Sequence, residues 1–431
     1  MRKINIGLIG YGVVGRGVVQ FLKRREEYLR DKFQIQFNLK ALCDRSVHKK
    51  DTRGLGKTLL TKNVEHVIND PAIDIVVELI GGLRPAKQIV VDALKKGKHV
   101  VTANKELIAN CGRELFELAQ KQKCNLYYES SVGAGIPIIK TVSEGIVGNN
   151  FRAVYGIING TSNYILSQMT EHDCSFGKAL QSAQKKGFAE SNPILDINGM
   201  DSAHKLAILV YLAFGKFVKL EDIYTEGITR ISHDDIEHAE SLNLSIKLLA
   251  IAKKANDMIE ARVHPTLISK EHPLASINHI NNAVYLDTNP LGPVLLSGEG
   301  AGQMTAASGV VSDLINFANR GENAKVACNI FSEAKHLRVR KIDNVLTKFY
   351  IRFMATDKPG TLSRIAGILG KYGIGINSVT QKVHRRGAGA VPVIMLTEYA
   401  KQKNVWLALQ KIYNLSVVKS KPVAIRMEKL W

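Results

Sequence analysis

The sequence predicts an α/β protein with three successive patterns: an N-terminal doubly wound parallel sheet, an α+β middle segment and a C-terminal βαββαβ unit. Three observations carry this. A short buried-strand pattern, Lys3 to Ile9, runs into a glycine-rich turn and then a helix-like stretch, Gly17 to Arg30. Strand and helix alternate up to Tyr128, and from Phe151 the pattern changes to alternating strands mixed with long helices. From Lys348 onward strands and amphipathic helices follow in ferredoxin-like order.

The first turn is Gly10-Tyr11-Gly12-Val13-Val14-Gly15. Strand, glycine turn, helix is the order of a dinucleotide-binding Rossmann unit. Gly10 allows the tight turn, Gly12 lets the backbone approach a pyrophosphate, and Gly15 lets helix and strand pack closely, with the helix N-terminus facing the anion and Val13 and Val14 in the cofactor-binding turn. A second strand, Phe37 to Cys43, ends at Asp44 and Arg45. Asp44 suits a ribose 2′-hydroxyl, whereas Arg45, helped by Lys49 or Lys50, suits a 2′-phosphate; the cations favour NADP, and NAD stays possible.

Three further strands are expected at Ile73 to Ile80, ending in Gly81-Gly82, at His99 to Thr102, ending in Ala103-Asn104-Lys105, and at Asn125 to Tyr128, ending in Glu129-Ser130-Ser131. In a parallel sheet these strand ends meet the ligand crevice, which places Thr102 and Lys105 on the cofactor edge. The segment Val132-Gly133-Ala134-Gly135-Ile136-Pro137 lacks the ending of a nucleotide triphosphate loop. Its exposed carbonyls could hold a monovalent cation with Glu129, or it is a plain hinge.

In the middle segment, strands are expected at Arg152 to Ile158, Met258 to Pro265 and Ala283 to Asp287. Asn159-Gly160-Thr161-Ser162-Asn163-Tyr164 joins a strand to a helix, so the amides near Gly160 and Thr161 either cap that helix or receive a carboxylate. Gly187-Phe188-Ala189-Glu190-Ser191-Asn192-Pro193 is followed by Asp196, Asp201 and Lys205. Asp201 and Lys205 stand four apart at the start of an apolar helical run and share a face. With Glu190 and Asp196 from the loop, they could hold an ammonium group beside a proton donor; a plain helix-start ion pair is the alternative. Ser297 to Gln303, containing Gly302, precedes a helix Thr305 to Ala318 that is expected to return to the first domain and close over the cofactor.

The expected domains are 1–135, a Rossmann domain completed by the helix 305–320; 136–330, a substrate-binding, catalytic and dimerisation domain; a linker, 331–348; and 349–431, the βαββαβ unit. In that unit Asp357-Lys358-Pro359-Gly360 and Gly373-Ile374-Gly375-Ile376-Asn377 suit a small-ligand sensor that pairs with another copy of itself.

Composition narrows the classes. With 431 residues and 45% hydrophobic content the chain can bury full-sized cores. No segment has the run of about 18 apolar residues that a membrane span needs. Cys43, Cys111, Cys124, Cys174 and Cys328 are widely spaced, odd in number and without ligand spacing, which fits reduced thiols in the cytoplasm. The net charge is +20, and residues 341–431 carry 16 Lys/Arg against 4 Asp/Glu. Apart from His384-Arg385-Arg386 these charges are dispersed without interleaved aromatic residues, which speaks for a solvated basic surface and against nucleic acid as the partner.

Together the motifs resemble the homoserine dehydrogenase family along the whole chain, with the last unit similar to an ACT regulatory domain. They are Gly-Tyr-Gly-Val-Val-Gly (10–15), Val-Glu-Leu-Ile-Gly-Gly (77–82), Thr-Ala-Asn-Lys (102–105), Asn-Gly-Thr-Ser-Asn-Tyr (159–164), Gly-Phe-Ala-Glu (187–190) and the Asp201/Lys205 pair. The resemblance implies reversible reduction of L-aspartate 4-semialdehyde to L-homoserine with NAD(P)H. It implies Lys205 as proton donor, Lys105 between cofactor and substrate, Glu190 and Asp201 on the substrate's amino group, Gly187 and Gly302 near the cofactor, and a sodium site at Glu129, Val132, Ala134 and Ile136. It further implies an amino-acid effector, threonine, and a homodimer or homotetramer. Two positions depart from the family pattern: Asn192, where relatives usually have Asp, and Glu398, where they often have His. Two other classes compete: a dehydrogenase acting on an imine, and a cofactor-sensing regulator that binds nucleic acid through its basic end.

Overall fold

The computed structural model describes residues 1–320, 333–381 and 390–429. Cys328, the start of the linker at Phe331 and the His384-Arg385-Arg386 loop lie outside the described residues. The chain forms two compact units: Met1–Gly160 with Asp201–Glu221 and Ile280–Leu337, and Thr161–Met200 with Asp222–His279 and Arg338–Trp431.

In the first unit six parallel strands, β1 (Arg2–Ile9), β2 (Ile35–Cys43), β3 (Leu59–Thr61), β4 (Ile75–Glu78), β5 (His99–Thr102) and β6 (Leu126–Tyr127), lie in the order β3-β2-β1-β4-β5-β6. Helices link them, as in a doubly wound sheet. Ile75, Val76, Val77, Val100 and Val101 are fully buried, because helices on both faces make the central strands continuous apolar runs. Glu78, at the carboxyl end of β4, is the exception within that strand and is also buried.

Where one helix Gly17 to Arg30 is expected, the structure has two, Val13–Arg24 and Glu26–Phe33, divided at Arg25. Lys23 to Glu27 is an unbroken charged run, so no apolar position there anchors a continuous helical face. The later helix spans Gln303–Arg320 and packs on Val13–Arg24: a Cβ on Gly17 would lie 2.5 Å from the Gln303 carbonyl oxygen, so only glycine permits the approach. Gly292–Glu299, Asn281–Asn289 and Asn150–Ile157 form an antiparallel run in the same unit.

In the second unit the strands run in the order Leu244–Ala255, Met258–Ser269, Val423–Met427, Leu346–Ala355, Val391–Thr397, Ile376–Gln381. The strand Leu244–Ala255 is absent from the sequence reading. Ile246 to Ala252 is buried without interruption, so alternation is lost, and its Leu, Ala and Lys content favours helix; twelve-residue pairing with Met258–Ser269 overrides that preference. The other edge of Met258–Ser269 is covered in turn by three short parallel segments: Arg338–Val339 against Met258–Ile259, Tyr224–Thr225 against Arg262–Val263, and Arg426–Met427 against Thr266–Leu267.

The last four of these strands and the helices Thr361–Lys371 and Gln402–Tyr413 make the βαββαβ unit, packed around Phe349, Ile351, Phe353, Ile365, Leu369 and Ile412. Its first strand is tied to the helix His233–Ser241: Arg352 Nε donates to Asp235 Oδ1 at 2.7 Å, and Asp235 also closes the capping box with Ser232. Among the described residues no helix is long and apolar enough to cross a membrane.

Candidate active site

The reversal of strand order between β1 and β4 opens a crevice at their carboxyl ends, and the glycine turn occupies it. Gly10 has φ 101°, and a Cβ there would lie 2.7 Å from the Leu79 carbonyl oxygen. A Cβ on Gly15 would lie 2.1 Å from the Gly10 oxygen. Gly12, the N-cap of Val13–Arg24, instead faces open space with nothing within 4 Å, Val13 is exposed and Val14 half-buried. Two glycines are thus needed for packing and the third leaves a helix N-terminus uncovered, which fits a pyrophosphate. At the end of β2, Asp44 Oδ2 accepts from Tyr11 N at 2.8 Å and Lys50 Nζ at 2.7 Å, and its Oδ1 accepts from Ser46 N and Oγ at 2.8 and 2.9 Å. Burial pushes the Asp44 carboxyl up, but Lys50, Ser46 and Tyr11 outweigh it and hold it well below the usual carboxylate range. Arg45 is exposed beside this pair. Gly302, with φ 130°, stands just before Gln303–Arg320.

At the ends of β4 and β5 the side chains form a ring. Glu78 Oε1 accepts from Ile80 N and its Oε2 from Thr102 Oγ1, both at 2.7 Å. Thr102 Oγ1 accepts from Asn104 N at 3.0 Å, and Asn104 Nδ2 donates to Gly82 O at 2.6 Å. Asn104 is also the N-cap of Lys105–Lys121, its Oδ1 accepting from Leu107 N at 3.0 Å. In the sequence Glu78 stands only within the Val-Glu-Leu-Ile-Gly-Gly motif, with no role of its own; its signal is an acid that directly follows the apolar run Ile75-Val76-Val77.

Lys105 opens its helix, where a cation opposes the helix dipole. Asp201 offsets this: Lys105 Nζ lies 2.8 Å from Asp201 Oδ1 and Lys205 Nζ 2.7 Å from Asp201 Oδ2. Lys205 Nζ donates to Ile158 O at 2.6 Å, and Asn159 Nδ2 donates to Asp201 Oδ2 at 2.9 Å. Burial pushes the Asp201 carboxyl up, but Lys205 and Lys105 overcome that and hold it far below the carboxylate range. The neighbouring His204 is pulled down by burial, which disfavours its charged form. One buried carboxylate therefore bridges two ammonium groups, a pair of cations poised to stabilise negative charge on an oxygen. Gly160 stands close by in sequence, at the start of Gly160–Glu171, where a Cβ would lie 2.9 Å from the Ile280 oxygen. Asn159 opens the Asn-Gly-Thr-Ser-Asn-Tyr motif, and no local pattern marks its bond to Asp201.

Of the remaining sequence-singled residues, Thr161, Gly187, Glu190 and Asp196 belong to the second unit. Thr161 Oγ1 donates to Phe188 O at 2.7 Å and Ser162 Oγ to Asp196 O at 2.8 Å, so the 187–196 loop is fastened to the start of Gly160–Glu171. Gly187, φ 75°, follows the helix Phe176–Lys185, and Glu190 is exposed.

Glu129 is buried, with Oε1 accepting from Ile139 N and Oε2 from Lys140 N, each at 2.9 Å. Burial pushes its carboxyl up to about 7. Its amide donates to Asp313 Oδ2 at 2.9 Å, and burial, then Glu129, drives Asp313 upward too. Val132 is extended, Ala134 is left-handed at φ 53°, and Ile136 N donates to Gly133 O at 3.0 Å. Among the described residues no group of three His, Cys, Asp or Glu side chains could hold a metal ion.

In the second unit a cavity of about 300 Å³ lies at the turn between Leu346–Ala355 and Thr361–Lys371, lined by Thr356, Asp357, Pro359, Gly360, Thr361 and Gln381. The Thr356 and Thr361 hydroxyls are buried and have no partner among the described residues. Glu398 is held by Asn377 Nδ2 at 2.7 Å and Lys348 Nζ at 3.3 Å, which keep its carboxyl below the usual range.

Comparison with known proteins agrees with this architecture. Residues 10–129 match the NAD-binding domain of homoserine dehydrogenase, 137–315 the homoserine dehydrogenase family proper and 349–403 the ACT domain. A homoserine dehydrogenase of Synechocystis sp. is 39% identical over 98% of this chain and 99% of its own. A solved homoserine dehydrogenase from Thiobacillus denitrificans superposes with a TM-score of 0.92 at 39% identity, covering 99% of both chains. A hyperthermophilic archaeal homoserine dehydrogenase mutant, solved in complex with NADPH, is similar over 73% of this chain and 97% of its own, with TM-score 0.63 and 27% identity. With an NAD-binding sheet, a lysine-bridging carboxylate and an ACT domain in one chain, and relatives alike from end to end, the protein belongs to the homoserine dehydrogenase family, NAD(P)-dependent oxidoreductases.

Proposed function

We propose that the chain reduces L-aspartate 4-semialdehyde reversibly to L-homoserine, in the branch leading to threonine, methionine and isoleucine, with Lys205 as proton donor. The observation that carries the residue assignment is the Asp201 carboxylate with Lys205 on one oxygen and Lys105 on the other. Asp201 keeps the Lys205 ammonium protonated and oriented before transfer. Reduced nicotinamide, when bound, supplies hydride to the aldehyde carbon. As that carbon becomes tetrahedral its oxygen gains charge, which Lys205 and Lys105 stabilise, and Lys205 delivers the proton that completes the alcohol. The family resemblance assigns Glu190 and Asp201 to the substrate's ammonium; the residue pattern adds Asp196 to that acidic set and the amides near Gly160 and Thr161 for the substrate's carboxylate.

Gly10, Gly12, Val13, Val14 and Gly15 would hold the pyrophosphate, with Thr102, Gly187 and Gly302 also assigned to the cofactor. NADP is the preferred form, because Lys50 already neutralises Asp44 and Arg45 stands exposed beside it, favouring a 2′-phosphate over a hydroxyl. A monovalent cation, sodium, is assigned to Glu129, Val132, Ala134 and Ile136; the burial of two carboxyl groups, Glu129 and Asp313, joined through the Glu129 amide, supports it. The 356–362 cavity, with two unsatisfied hydroxyls, supports an amino-acid effector, threonine, at residues 349–431, and the exposed edge strand Ile376–Gln381 supports self-association as a dimer or tetramer. The catalytic and dimerisation functions belong to 136–330, and the protein acts in the cytoplasm.

The test is oxidation of NADPH and of NADH by the purified protein with aspartate semialdehyde, with and without threonine. The reading requires semialdehyde-dependent oxidation, faster at low concentrations of NADPH than of NADH, and slowed by threonine. Reduction of an imine in place of the aldehyde would overturn the substrate assignment.

A further inference from the structure

We propose that Glu78 is a positioning residue: its carboxylate, through Thr102 and Asn104, ties the Ile80–Gly82 turn to the turn that presents Lys105. This rests on Lys105 having the role proposed above. The first observation is placement. Glu78 ends β4, Thr102 ends β5, and these paired strand ends flank the crevice at the reversal of strand order. The second is burial: Glu78 and Thr102 are both fully buried, in strands whose other residues are apolar apart from His99 at the far end of β5, and an acid there costs stability unless its oxygens are bonded.

The third is connectivity. Ile80 N and Thr102 Oγ1 occupy opposite oxygens of Glu78 at 2.7 Å each, so neither turn can shift without straining the other. Thr102 Oγ1 accepts from Asn104 N at 3.0 Å, and Asn104 Nδ2 returns to Gly82 O at 2.6 Å, closing the ring. The residue after Asn104 is Lys105, whose Nζ is 2.8 Å from Asp201. A helix N-cap requires only the Asn104 oxygen, which Leu107 N uses. The Asn104 amide, the Thr102 hydroxyl and the Glu78 carboxylate are left to fix one turn against the other. Lys105 is 42% exposed at its side chain and sits against the helix dipole, so its backbone origin, more than packing, sets where its ammonium lies.

The test uses E78Q, N104S and K105A in the full-length protein. Serine at 104 keeps a capping oxygen, so the helix start survives while the link to Gly82 is lost. Misplacement of about 1 Å at a reacting centre costs on the order of 100-fold. Both E78Q and N104S are expected to lower kcat at least tenfold, to raise the primary isotope effect measured with deuterated nicotinamide, and to change the fluorescence-measured Kd for NADPH less than about threefold. The thermal midpoint of N104S should match wild type. Wild-type kcat in both variants overturns the inference, as does a fall in kcat with an unchanged isotope effect, which marks lost folded enzyme and not a slower chemical step. If K105A is slow while E78Q and N104S are not, only the ring's role falls; if K105A turns over normally, the assignment of Lys105 falls and the inference with it.

Discussion

Replacing Asp201 by Asn tests the bridging carboxylate directly. Asp201 is buried and accepts from Lys105, Lys205 and Asn159 at 2.8, 2.7 and 2.9 Å. Asparagine keeps one acceptor oxygen, so its amide N–H must face at least one ammonium group. The two cations, on the order of 5 Å apart across the carboxylate, then repel without a counter-ion. At an effective dielectric constant of about 20, that repulsion is roughly 3 kcal/mol, which the Asp201 charge offsets and asparagine does not. The lysine that deprotonates first gives up its charge at lower pH, so the alkaline limb of reductive turnover should move down. Loss of an oriented proton donor should lower kcat on the order of 100- to 10,000-fold at neutral pH. The assay is initial-rate oxidation of reduced nicotinamide by aspartate semialdehyde across the pH range, with cofactor binding measured separately. D201N with kcat within about threefold of wild type and an unmoved alkaline limb would refute the reasoning.

Lys205→Ala should cut kcat by a similar order, about 100-fold or more, while NADPH affinity from fluorescence titration changes little; unchanged turnover removes Lys205 from the chemistry. His99 is buried with Nδ1 accepting from Asn125 N at 3.1 Å, and burial pulls its pKa from 6.5 to about 4. A depressed folded pKa contributes stability that is present above pH 6.5 and lost as pH falls through 4. That difference is worth on the order of 3 kcal/mol. Denaturant unfolding at pH 7 and pH 4 should show that loss, and His99→Gln should flatten it; equal slopes in the two proteins would count against the assignment.

What sequence made legible was short in range. Gly10, Gly12 and Gly15 declare a strand-to-helix turn within six residues, and Asp201 with Lys205 declares a shared helical face within five. The structure keeps both. Distant partners were not legible. Nothing near Lys105 in the chain names Asp201 as its partner, and nothing near Glu78 names Thr102, because each pair meets only when parallel strands or separate segments align. Lys50 shows an intermediate case: it was noticed as a cation for a phosphate, yet in the fold it bonds Asp44 and the Tyr11 carbonyl oxygen, six and thirty-nine residues away. Leu244–Ala255 went unseen because a strand buried on both sides carries no alternation. In each case the missing information is tertiary contact, not local preference.

The strand Met258–Ser269 is roofed on one side by a single continuous neighbour and on the other by three tiles, from residues 224–225, 338–339 and 426–427. Shortening the protein before Val423 would strip one tile and leave Thr266 and Leu267 with unanswered amide and carbonyl groups along that edge, an invitation for foreign chains to stack there. Removal of the ACT unit is therefore not a neutral pruning: a trimmed chain would acquire an adhesive border, and engineering such a version calls for a charged or proline-bearing patch at that spot.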